Sequence, residues 1–274
     1  MKPGLFAAAA SCFALRAPAD KCAAVAELAR CVEAANLRFD ADFSIPDVQK
    51  PGRPDRPELL DPSRVPRRRL GSAAGRAALA HAIAHIEFNA INLALDAVCR
   101  FRDMPEAYYN DWISVAADEA RHFRLLEERL ANLGASYGDF PAHNGLWEMA
   151  EKTADSCLVR MALVPRVLEA RGLDVTPGMI ERLNHVGDTE TVAVLNVILK
   201  EEVGHVAIGS RWFQYCCARE GKAPEQTFLA LLKSRYAGTI RGPLNTPARL
   251  AAGFSREELD ALEKDESEAT GVAR

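Results

Sequence analysis

The chain has 274 residues, 49% hydrophobic and 26% charged, with a formal net charge of −4 and a pI near 5.9. That supports a sizeable core in one large domain with added arms, or at most two domains. It gives no whole-molecule field for tight nucleic-acid or membrane binding. Seven cysteines, at 12, 22, 31, 99, 157, 216 and 217, form an odd set without a Cys-x-x-Cys pair. This argues against a disulfide framework or a zinc site and points to a reducing cytoplasm.

The opening "MKPGLFAAAASCFALRA" has a short apolar run after a single Lys. Arg16, Asp20 and Lys21 follow and the helical pattern continues, so the segment is expected to belong to the fold and not to a leader. Residues 5 to 38 predict two helices with a break near Pro18. Residues 39 to 71 carry Pro46, Pro51, Pro54, Pro57, Pro62 and Pro66, then Arg67, Arg68 and Arg69, and read as an extended arm. A helix is expected from Ser72 to about Arg102, with Ala80, Ile83, Ile91, Ala94 and Val98 at helical spacing, and a second from about 106 to 133, stopped by Gly134. A third is expected from about 146 to 171, kinked at Pro165. After a break at "GLDVTPG" come a short helix and then a long fourth one from about 189 to 219. A helix near 224 to 237, a loop "GTIRGPLNTPAR" and a polar helix from Ser255 complete the tail. No alternating strand run appears, no stretch reads as a membrane span, and the class is all-α. The organisation expected is residues 1–71 as helices and arm, 72–222 as a four-helix bundle and 223–274 as C-terminal helices.

Two of the long helices contain Glu-x-x-His, as Glu119/His122 in "DEARH" and Glu202/His205 in "KEEVGH". A spacing of three puts a carboxylate and an imidazole on one helical face, where both can grip one ion. Each remaining long helix has a Glu inside its apolar stripe, Glu87 and Glu169. Glu87 precedes Glu119 by 32 residues and Glu169 precedes Glu202 by 33; the halves are offset by 82 at the stripe Glu and 83 at the His. One Glu-x-x-His would mean little, but the repeat of a Glu helix followed by a Glu-x-x-His helix reads as two related hairpins. Four carboxylates in apolar stripes are costly unless a cation neutralises them, and two divalent ions match their charge. Carboxylate and imidazole without thiolate suit Fe, Mn or a mixed pair, with Zn the weaker choice.

"HAIAHIEFNAINLALDA", "DEARHF", "LEARGLDVTP", "EEVGHVAIGSRWF", the arm and the tail "GPLNTPARLAAGF" together resemble an uncharacterised ferritin-like family, domain of unknown function 455, from about residue 5 to 265. The resemblance implies a ferritin-like bundle of the di-iron carboxylate superfamily, with Glu87, Glu119, His122, Glu169, Glu202 and His205 at its ligand positions. It supplies no substrate. The implied fold is also similar to that of a bacterial tRNA hydroxylase acting on a hypermodified adenosine, although the arm and tail lie outside that similarity.

Around the site, His143 and Trp147 are expected either to line a pocket or to cap a helix beside a core Trp. His81 and His85 lie on another side of their helix from Glu87. Asp188 shares the face of Glu202, as a proton carrier or as the N-cap of the fourth helix. Arg67, Arg68 and Arg69, with Arg241 and Arg249, form a basic rim for a phosphate or carboxylate substrate, a solvated face, or clamps on the protein's own carboxylates. The expected activity is O2-dependent oxidation of a small organic or nucleoside-like substrate at two metal ions. O2 or peroxide, an electron-donor protein and a possible homodimer are the partners in view, with no membrane, nucleic acid disfavoured and RNA left open. The alternatives are a metal-handling or peroxide-detoxifying protein without an organic substrate, and a structural module stapled by its metal.

Overall fold

The structure, a computed structural model, describes residues 2–43, 50–66, 68–236, 240 and 242–270, with side chains to residue 264. Among the described residues every regular element is helical, and extended pairing is limited to the isolated bridges Gly4↔Arg38 and Leu59↔Ala142. The chain groups into two units, Met1–Glu148 and Met149–Arg274.

In the first unit, α1 (Leu5–Ala14) and α2 (Pro18–Glu33) are parted where Pro18 opens α2, a position at which its missing N–H costs nothing. The Asp40 carboxylate accepts the amides of Phe6 (2.8 Å) and Ala7 (3.2 Å), satisfying donors that the start of α1 leaves free. Ser72 caps α3 (Ala73–Arg100) by accepting the Gly75 amide, and α4 (Glu106–Asn132) ends before Gly134, whose φ of +73° a side chain would resist. α3 and α4 pack along each other; α2 lies on α4 and α1 on α3. Ala84, Phe88, Ile91 and Leu95 are buried on α3, and Trp112, Ala116, Phe123 and Leu126 on α4. The arm is tied down by main-chain bonds: the Leu60 amide to the Ala142 carbonyl (2.8 Å), and the Ala142 amide to that of Glu58 (2.9 Å).

The α5 helix (Gly145–Lys152) is followed by a turn and by α6 (Cys157–Leu163), capped by Ser156. A π-helical turn, Val164–Glu169, leads straight into α7 (Ala170–His185). Gly187, at φ +72°, turns the chain into α8 (Thr189–Arg219). Then come α9 (Pro224–Arg235), α10 (Thr246–Ala251) and α11 (Arg256–Thr270). α6, the π turn and α7 all pack on α8; α9 touches α6 and α8, α10 touches α7 and α8, and α11 lies on α9.

Several expectations need correction. The third helix is not continuous from 146 to 171: α5 stops at Lys152, and at Pro165 the chain widens into a π turn in place of a simple kink. The helix does not break at "GLDVTPG" either, since α7 runs through Gly172 and Pro177. Pro177 cannot donate to the carbonyl four residues back, that of Leu173, and the Asn245 side-chain amide donates to it at 3.0 Å. A tertiary contact thus repairs what a local rule counts as a stop; Asn245 also caps α10, a helix inside the expected loop. Lastly, α3 is long and apolar enough to cross a membrane by length and composition. Yet 83% of its most apolar window is buried inside the protein and it carries Glu87, Asn92 and Asp96, so its apolarity serves a core.

Candidate metal centre

Glu87 on α3 has Ala84 and Ile91 a turn away on either side, all three buried, so the position that a helical period assigns to the core holds a carboxylate. Glu119 and His122 do the same on α4, between Ala116 and Leu126. The three residues are 5%, 1% and 0% exposed. His122 Nδ1 stands 3.2 Å from Glu87 Oε2 and 3.4 Å from Glu119 Oε2, and one ligand atom from each residue falls within 4.8 Å of the others. Burial and the neighbouring Glu119 charge push the Glu87 carboxyl well above its ordinary range. Burial opposes charge on His122, but hydrogen bonds and charge from Glu119 and Glu87 prevail and raise it to about 10. The cluster therefore favours positive charge at its centre, and two carboxylate oxygens with one imidazole nitrogen could hold a metal ion.

In the second unit, His205 Nδ1 lies 3.1 Å from Glu202 Oε2, both buried on α8. Glu169 closes the π turn and is half-buried. Two glycines fix its level. A Cβ at Gly209 would overlap the ring of Pro165, and a Cβ at Gly172 would meet Glu202 Cγ at 4.0 Å. The segment therefore runs antiparallel along α8, with Pro165 opposite Gly209 and Gly172 opposite Glu202, which sets Glu169 level with His205. Glu202, His205 and Gly209, at i, i+3 and i+7, share one face of α8.

The surrounding residues resolve into plainer roles. His81 Nε2 accepts the Gly138 amide (2.9 Å), and His85 bonds the Tyr137 hydroxyl (2.9 Å) and the His143 carbonyl (3.2 Å). His143 Nδ1 accepts the Gly145 amide at the start of α5, and Trp147 is buried against Phe13, the capping reading. Asp188 is the N-cap of α8, accepting the Thr191 amide (3.0 Å) and hydroxyl (2.8 Å). Arg249 does not line a rim: it is fully buried and clamps Asp174 through Nε (3.0 Å) and Nη2 (2.7 Å). Arg68 stacks over Phe140, while Arg67 and Arg241 lie outside the described residues. Among the described residues the cysteines form no disulfide.

Sequence reasoning missed Arg166, Gly172 and Gly209 as parts of this half. Gly209 had a usable signal, a side-chain-free position on the ligand face of α8; Arg166 had none, because its partner Glu258 is 92 residues away.

The chain matches the family described as "Protein of unknown function (DUF455)" over residues 14–260. It is 48% identical over 214 residues to a Haemophilus influenzae protein described as "Uncharacterized protein", covering 76% of this chain and 74% of that one. No solved structure matches. An all-helical chain with buried Glu/His groupings able to hold a metal ion, matched to one family over nearly its whole length, belongs to the family described as "Protein of unknown function (DUF455)".

Proposed function

We propose that this protein is a ferritin-like carboxylate oxidoreductase. In this reading Glu87, Glu119, His122, Glu169, Glu202 and His205 together hold two metal ions, most favourably iron, and the substrate is a small organic or nucleoside-like molecule. The observation that carries the reading is the buried triad of Glu87, Glu119 and His122, whose ligand atoms lie within 4.8 Å of one another. The sequence repeat adds the complementary set, a Glu before a Glu-x-x-His pair at nearly the same separation. Bound there, two redox-active ions would supply the electrons that reduce O2 and the oxidising power passed to a substrate.

The chain's own groups have definite tasks in that chemistry. The four carboxylates neutralise the ions, and the two imidazoles present nitrogen donors on helical faces that packing holds in place. Ala84 and Ile91 on α3 and Ala116 on α4, buried on the same helical faces as Glu87 and Glu119, give the first half apolar surroundings that strengthen charge interactions within it. In this reading the electrons come from a donor protein.

Anaerobic loading with Fe2+ followed by O2, monitored by Mössbauer spectroscopy, tests the proposal. Two irons per chain that convert to a coupled diferric signal support it. Many irons per chain with repeated Fe2+ oxidation indicate a metal-handling protein instead. No bound iron, or uptake of zinc alone, rejects it.

A further inference from the structure

The π turn that ends at Glu169 is held from outside itself. Within it the Ala170 amide reaches the Pro165 carbonyl five residues back, and Pro165 has no N–H for a normal helical bond. Such a turn has little local energy to define it. On one side the Pro165 ring presses on the bare backbone of Gly209. The next residue, Arg166, is 1% exposed and enters a cage formed by Phe213, Phe228 and Phe254, its guanidinium carbon 4.8, 4.3 and 4.4 Å from their ring centres. Nη2 donates to Glu258 Oε2 at 2.7 Å, whereas Nε and Nη1 have no acceptor among the described residues. Glu258 is itself fixed, since Oε2 accepts the Ser255 amide (2.9 Å) and its own amide donates to Ser255 Oγ (3.2 Å), a capping box that starts α11.

A buried cation so incompletely bonded contributes little net stability, and an apolar side chain would fill the cage at less cost. What it adds is a directional bond three residues before Glu169. We propose that Arg166 is a positioning residue: its ion pair with Glu258 locks the π turn to the start of α11 and so holds Glu169 level with His205. This rests on the metal reading above and extends it to the C-terminal helix, which would set the geometry of the second half without supplying a ligand.

Co2+ titration of the full chain, followed by calorimetry and by d–d absorption, tests the lock at a temperature where circular dichroism shows each variant folded. Glu258→Gln and Arg166→Met are expected to weaken Co2+ binding about tenfold or more and to move the absorption towards that of Glu169→Gln. Thr153→Val, which breaks the buried Thr153–Arg160 contact (2.7 Å) instead, is expected to lower the melting temperature and leave the spectrum as in wild type. Phe228→Leu loosens the cage without touching charge; should the charge variants fail to fold, it carries the test, with a smaller shift in the same direction. Wild-type affinity and spectrum in the folded Arg166, Glu258 and Phe228 variants overturn the lock while leaving the metal reading intact. A wild-type chain that binds no Co2+ overturns the metal reading itself.

Discussion

The two hairpins carry the same order of candidate ligand residues on backbones of very different character. In the first, α3 and α4 run 28 and 27 residues without interruption, and Glu87, Glu119 and His122 converge through helical periodicity and core packing alone. In the second, the Glu-bearing side is divided into α6, a π turn and α7, interrupted by Pro165 and Pro177. Each interruption is offset by a distant group: Gly209 and the Arg166–Glu258 pair at the first, the Asn245 amide at the second, with Asp174–Arg249 tying α7 to α10. Spacing along the chain picks out the candidate ligands. The stiffness of the backbone beneath them is set separately, locally in the first half and by tertiary contacts in the second.

The largest expected effect breaks the comparison at the first half. His122→Ala or Glu119→Gln removes a donor from a closed buried triad, and Fe2+ or Mn2+ affinity should fall by more than about 100-fold, beyond the usual loss from an outer-sphere change. Metal analysis after equilibrium dialysis measures it, and near wild-type loading would show that the triad holds no ion.

Next is Gly209→Val in the second half. The new side chain collides with the rigid Pro165 ring, at a cost of about 1–3 kcal/mol and a lowered melting temperature. Asn245→Ala should follow, since it leaves the Leu173 carbonyl beside Pro177 without its side-chain donor and removes the α10 cap, at about 2 kcal/mol in a urea melt. If neither variant destabilises the chain, the second half does not depend on these outside supports and the contrast between the halves falls.

The smallest effect belongs to the first unit. Lys21 is fully buried, its Nζ bonded to the Phe13 carbonyl (2.9 Å) and Asn92 Oδ1 (2.6 Å), and burial lowers it from 10.5 to about 7. Above pH 7 the unfolded chain keeps a proton that the folded chain has shed, so this group makes stability rise with pH from 7 towards 10.5. Between pH 7 and 8.5, before the unfolded cysteines ionise, Lys21→Met should flatten the rise in melting temperature. An unchanged slope would assign that pH dependence to other groups.

Much of this was legible beforehand. The Glu-x-x-His pairs, the stripe glutamates and the boundaries of α3, α4 and α8 follow from periodicity, from the caps Ser72 and Asp188 and from the stop at Gly134, all of which act within a few residues. Arg249 was legible as a clamp only among other readings, because nothing in a charge distinguishes a solvated arginine from one paired 75 residues away. The unbroken α7 was hidden for the same reason: a proline and a glycine count as breakers until a remote amide is seen to take the bond.

The sequence alone therefore determined that the chain is helical, that a duplicated carboxylate–histidine pattern lies on its apolar faces, and that the pattern suits metal ions. These properties depend on three- and four-residue periods that any helix obeys. Tertiary structure decided that Glu87, Glu119 and His122 share one buried cluster, that Glu169 ends a π turn level with His205, and that Arg166 and Asn245 support that half. Those depend on contacts between residues 32 to 92 positions apart, whose free energy exists only once the chain has packed.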